Sequence, residues 1–212
     1  MAGYPVVPPG LEFLPQVSEL YVKQTRDSVF QNYCTYDLFD ATGQLLYKAV
    51  EQREFCGPRL DLIVSSLQGY VVLHLLVPSN FCSWETKLQV SSSSGEILGY
   101  IEKNWTSFSA SFDILDPSGG FLFKVKGPGW GESFMSDAHY RVFSSDTTTQ
   151  IAVITRVWRG FLKEMLLSKD AYSIPFPLDL YVNGKVMLLA CTLFIDLLYE
   201  ENKRNERSRT SS

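Results

Sequence analysis

The chain has 212 residues, 45% of them hydrophobic and 20% charged, which suits one domain with a large buried core. A formal net charge of −4 gives no general attraction to polyanions, so nucleic acid is excluded as a default partner and binding to anionic lipid would need a local basic patch.

In chain order, the opening MAGYPVVPPG has no basic start, no apolar run and no small-residue cleavage site, so no secretory signal is read there and the domain is expected to stay cytosolic. Cys34, Cys56, Cys82 and Cys191 lie far apart with no C-x-x-C pair, which points to reduced thiols instead of a zinc site or disulfides.

From Tyr36 a unit recurs in which a strand-like run enters a Gly, Ser, Asp or Asn turn and a second strand-like run leaves it. The units start at Tyr36, Leu60, Leu88, Phe112, Tyr140 and Leu178. The first and fourth share an aromatic residue, Asp, then Asp-x-x-Gly and an apolar return ending in Lys, while the third and fifth end at Trp105 and Trp158. Six hairpins in two similar halves would supply about twelve strands, and closing them removes exposed edges. The fold class expected is therefore mainly β, a closed twelve-stranded antiparallel barrel with a two-half pseudo-repeat.

A barrel of that width cannot be filled by its own side chains. The run from Val186 to Leu198, with Val186, Leu189, Leu193, Phe194 and Leu197 among its apolar residues, is apolar on every side except at Thr192 and Asp196, the pattern of a buried helix. At about thirteen residues it falls short of a bilayer, and Asp196 is costly in hydrocarbon. Burial in the barrel is the expectation and a membrane span the alternative.

Enzyme templates find little. There is no Gly-x-Ser-x-Gly elbow; His74 lies in a strand-like run, and His139 is beside Asp137 in a loop-like one. GPGWGES at 127–133 lacks the Lys-Ser/Thr ending of a phosphate loop. Asn104-Trp105-Thr106 is a glycosylation sequon, silent in a cytosolic domain. The chain is read as a non-enzyme without a recognisable catalytic site.

PPGLEFL (8–14), GQLLYKAVE (43–51), FCGP (55–58), LGYI (98–101), FPLDL (176–180) and the closing ACTLFIDLLYEE resemble the phospholipid scramblase family. The resemblance covers about Pro8 to Glu201 and implies the tubby-like fold, a twelve-stranded barrel around a hydrophobic C-terminal helix. The domain is expected over residues 11–201, with a short N-terminal segment at 1–10 and a polar disordered tail at 202–212. The resemblance implies calcium-stimulated, energy-independent movement of phospholipids between leaflets at the cytosolic face, with the plasma membrane as the expected site and cytoplasm or nucleus as alternatives. A non-catalytic lipid-binding or adaptor module is the other functional reading. Membrane phospholipids are the expected partners, with self-association or protein partners open.

Three site expectations come with the resemblance. The family's calcium loop maps onto SKDAYSIPFPLD, giving Ser168, Asp170 and Asp179 as candidate ligands; only two are carboxylates, Ser173 replaces a turn glycine, and a plain loop entering a strand stays open. Where the family carries an acylated cysteine run this chain has Cys82 alone, and one acyl chain anchors only marginally. The stretch some members use for nuclear import leaves Arg156, Arg159 and Lys163, which could share a helix face toward lipid head groups or simply face water.

Overall fold

The computed structural model describes residues 7–25, 33–53, 59–78, 87–105, 110–128, 138–157 and 171–210. Among them, twelve strands form a closed antiparallel barrel in which each pairs with its sequence neighbours and β1 (Glu19–Thr25) closes the ring against β12 (Ala171–Pro175). Five hairpins make up most of the wall. They are β2–β3 (Thr35–Asp40, Leu45–Glu51), β4–β5 (Leu60–Ser66, Val71–Val77), β6–β7 (Lys87–Ser92, Ile97–Trp105), β8–β9 (Ala110–Leu115, Phe121–Lys126) and β10–β11 (Ala138–Phe143, Gln150–Val157).

The expected total of strands holds, but not their source. The sixth unit, from Leu178, is not a hairpin: its second half is the start of α1 (Val182–Thr210), and the missing pair comes from β1 and β12. Asn183-Gly184 reads as a turn in sequence, yet no strand precedes it to be returned, and the following residues are apolar without alternation.

The hairpins turn in one way. In each, the first turn residue accepts a bond from the fourth: Gly43 N–H to Asp40, Gly69 to Ser66, Gly95 to Ser92, Gly119 to Asp116, and Thr147 to Ser144. That fourth position has a positive φ, 85° at Gly43 and 87° at Gly119, which glycine adopts without steric cost. Asp40 Oδ1 accepts from Thr42 and Gln44, and Asp116 Oδ1 from Ser118 and Gly120, so the repeated Asp-x-x-Gly writes the same turn into both halves.

Strand alternation supplies the inner wall. Leu20 and Val22, Leu62 and Val64, Leu73 and Leu75, Leu88 and Val90 point inward and are buried, while the residues between each pair, Tyr21, Ile63, His74 and Gln89, are only half-buried. Because antiparallel strands reverse at every turn, all five tight turns lie at one end of the barrel. The N-terminal segment closes this end: Leu11 and Leu14 are fully buried, and the Lys185 ammonium donates to the carbonyls of Leu14, Pro15 and Val17. Those bonds satisfy a buried charge and the exit of the 3₁₀ turn Leu14–Gln16 together.

Helix α1 starts at the same end and runs up the lumen. It is 29 residues long, so the expected polar tail from 202 is instead helical through Thr210. The Val182–Glu201 stretch is apolar and long enough to cross a bilayer, so length alone does not decide its location; its burial inside the barrel does. At the far mouth Arg59 makes paired 3.3 Å bonds to Glu201 as the helix leaves.

Helix and wall approach closely at Gly99 in β7. A Cβ there would lie 2.4 Å from the Leu115 carbonyl oxygen and 2.8 Å from Met187 Cε. Because the Leu115 oxygen is backbone, Gly99→Ala must shift β8 relative to β7, and we expect it to destabilise the barrel by about 1–3 kcal/mol. The denaturation midpoint relative to wild type measures this, and an unchanged midpoint would contradict the packing.

Candidate functional site: the enclosed helix and its polar end

From Val186 to Leu198 every residue of α1 is buried, Val186, Leu189, Leu193, Phe194 and Leu197 included. Each of these Val, Leu and Phe side chains contributes about 1.5–3 kcal/mol when removed from water. Phe194 meets Phe112 of β8 edge to face, with centroids 6.0 Å apart. Thr192 satisfies its hydroxyl within the helix by donating to the Leu188 carbonyl at 2.9 Å.

Asp196 cannot be satisfied that way, and the barrel builds a polar lining around it. The Tyr36 hydroxyl of β2 donates to Asp196 Oδ2 at 2.8 Å, and Tyr172 of β12 directs its hydroxyl toward the same carboxylate without closing a bond to Oδ1. Arg156 of β11 lies over the Tyr199 ring at 4.2 Å and over the Tyr172 ring at 5.8 Å. Burial pushes the Asp196 carboxyl up to about 6; the Tyr36 bond and Arg156 hold it from rising further, and Glu200 adds to the rise. Burial beside this carboxylate also raises Tyr36 and Tyr172 well above the ordinary tyrosine range.

This location corrects the head-group expectation for Arg156. It follows Ile154 at strand spacing and shares its inward face, so it is buried and serves the Asp196 cluster, not a solvent-facing helix. Arg159 and Lys163 lie outside the described residues, as does Cys82. Cys34 and Cys191 are buried thiols outside any disulfide; Cys34 Sγ accepts from Gln24 Nε2 at 3.4 Å, and burial raises the Cys191 thiol.

Within the stretch expected as a calcium loop, Ala171–Pro175 is strand β12. Ser168 and Asp170 lie outside the described residues, and Asp179 is exposed beyond the end of β12. Three of the intervening ligand positions are Tyr172, Ile174 and Phe176, all buried in the barrel. A loop with ligands at alternate positions and a strand with one inward face have the same period of two, so the sequence pattern could not separate them. Among the described residues no group of three or more His, Cys, Asp or Glu could hold a metal ion.

The histidines are structural. His74 Nε2 meets Asp61 Oδ1 at 2.8 Å across β4–β5, and His139 Nδ1 meets Thr155 Oγ1 at 3.3 Å. Asn104 gives its amide to Asp113 Oδ2 at 2.7 Å in the sheet. Sequence reading missed Tyr36 and Tyr172 as neighbours of Asp196, and Tyr199 as the ring under Arg156. The signal available was the lone carboxylate in an apolar helix, which demands donors from the surrounding wall.

With this architecture in view, the comparisons are decisive at family level. The Scramblase family model matches residues 2–202, and the chain belongs to that family. Phospholipid scramblase 1 of Mus musculus is 29% identical over 97% of this chain and 68% of its own length. Phospholipid scramblase 2 of Bos taurus is 28% identical over 94% of this chain and 74% of its own length, and phospholipid scramblase 4 of Homo sapiens 28% over 95% and 67%. The chain thus spans roughly two thirds to three quarters of these relatives. No solved structure matches significantly.

The Asp196 cluster has a pH signature. The folded carboxyl takes its proton near 6 and an unfolded one near 3.8, so between those values the folded state holds more protons. Stability should rise as pH falls from 7 toward about 4, by about 3 kcal/mol at most. We expect Asp196→Asn to remove this slope and Tyr36→Phe, which deletes the donor, to steepen it. Melting temperature between pH 5 and 7 reads both, and an unaltered slope in Asp196→Asn would contradict the assignment.

Proposed function

We propose that this protein moves phospholipids between the leaflets of a membrane without energy input, acting from the cytosolic face and stimulated by calcium. The observation that carries the reading is the Scramblase match across residues 2–202, joined to relatives named phospholipid scramblase over nearly the whole chain. The plasma membrane is the proposed location. Cys82 acylation and head-group contact by Arg159 and Lys163 belong to the same proposal; Arg156 does not, because it is buried. Calcium action at Ser168, Asp170 and Asp179 rests on the resemblance, and no step is routed through it.

One feature of the barrel favours a second reading. A head group crossing hydrocarbon needs a polar path, since each unpaired polar group there costs several kcal/mol. Here the apolar helix is enclosed and the wall is closed. A scrambling barrel must therefore disturb the bilayer from its surface, open, or assemble with further copies. Lipid binding or an adaptor role without transport needs none of these.

Purified protein in liposomes carrying a fluorescent phospholipid separates the readings, with dithionite reporting flipped lipid and flotation reporting bound protein, each with and without calcium. The proposal expects flipped lipid above protein-free liposomes, increased by calcium only in the millimolar range. Bound protein with no flipping would overturn it in favour of the binding module.

A further inference from the structure

The tight-turn end of the barrel differs from the rest of the surface in both charge and hydrophobicity. Its described segments are 7–19, the five turns at 40–44, 66–70, 92–96, 116–120 and 144–149, and the linker 176–181. They carry Glu12, Glu19, Asp40, Glu96, Asp116, Asp146 and Asp179 and no lysine or arginine. Lys185, the cation nearest to them along the helix, is turned inward onto three carbonyls. Since the whole chain is only −4, the rest of the sequence is slightly positive, and this end stands out as acidic.

The same end exposes large apolar side chains. Phe13 is 66% exposed, Tyr70 74%, Leu67 51% and Val71 43%. These four line a groove of about 890 Å³ between the N-terminal segment and the β2–β3 and β4–β5 turns. Val17, Leu45 and Leu46 also line it, and every carboxylate or cation on its lining is an acid: Glu12, Glu19 and Asp40. The groove is fixed in shape. Gly10 packs against Val72 so closely that a Cβ would lie 2.9 Å from it, and the Tyr47 hydroxyl donates to the Gly10 carbonyl at 2.9 Å.

We propose that this groove docks a short peptide segment of a partner protein that presents one or two large apolar side chains beside lysine or arginine. Phe13, Leu67 and Tyr70 receive the apolar groups, and Glu12, Glu19 and Asp40 receive the cations. Charge selects this occupant over two others. A cytosolic leaflet bears negative surface potential and attracts basic patches, so an acidic rim works against seating this end on it. Two copies meeting end to end would bring two sets of carboxylates together. The groove is also concave, which suits an inserted side chain better than a flat bilayer.

The full chain is immobilised and panned with a phage-displayed library of random dodecapeptides, and selected peptides are titrated by fluorescence anisotropy. Phe13→Ser and Tyr70→Ser change exposed residues, and Glu12→Gln and Glu19→Gln keep the local hydrogen-bond acceptors; circular dichroism and melting temperature check that each variant folds as wild type. The expected result is an apolar and basic consensus whose affinity falls about fivefold or more in each aromatic variant, falls in each Gln variant, and weakens with salt. Selection of no consensus, of an uncharged or acidic one, or of peptides indifferent to these variants would overturn the proposal. Flotation with phosphatidylcholine and phosphatidylcholine–phosphatidylserine vesicles is run in parallel. Vesicle binding lost on Phe13→Ser and Tyr70→Ser would also overturn it, by assigning this end to the membrane.

Discussion

The structure depends on mutual burial of one helix and one barrel. A twelve-stranded ring leaves a lumen that its own side chains cannot fill, and α1 is apolar on every side from Val186 to Leu198, so each element is unstable without the other. The inward residues of the strands supply the cover that lipid would otherwise provide. At the tight-turn end Lys185 fastens the N-terminal segment over the helix start, and at the other mouth Arg59 holds Glu201. The helix is therefore pinned at both ends and enclosed between them.

Within that apolar enclosure Asp196 is the exception, and it shapes the wall opposite it. Tyr36, Tyr172 and Arg156 come from three different strands, yet they converge on one carboxylate because each occupies an inward position. A polar group this deep costs free energy unless it is bonded, and a partly satisfied cluster is the place where a packed core is most sensitive to change. It also weighs against lipid exposure of the helix, where Asp196 would lose Tyr36 and Arg156 and meet hydrocarbon instead.

Much of the wall was legible in the sequence because period-two alternation and Asp-x-x-Gly turns are local signals. The five hairpins and the closed barrel follow from them, and the buried Val186–Leu198 helix from its being apolar on every side but Thr192 and Asp196. β1 and β12 were not legible: they pair with each other across nearly the whole chain, and no short turn joins them. The Leu178 unit misled because Asn-Gly reads as a turn wherever it falls. At the site, Arg156 was read by its spacing to Arg159 and Lys163, a helical criterion applied to a residue that follows Ile154 on a strand. In the calcium stretch the expected ligand period equals the pleat of β12, so the pattern alone does not separate a loop from a strand. Partners such as Tyr36 and Asp196 are 160 positions apart, and no local pattern joins them.

Enclosure of α1 also frames the functional question, because a transporter of head groups must either open this barrel or act around it. The most direct measurement uses liposomes whose phospholipids carry a photoactivatable diazirine in the acyl chain. After irradiation of bound protein in the absence of calcium, adducts are mapped by mass spectrometry. With the helix sheltered by the barrel, Val186 to Leu198 should carry none. Adducts at Leu189 or Phe194 would show the helix in contact with acyl chains and contradict the enclosed architecture.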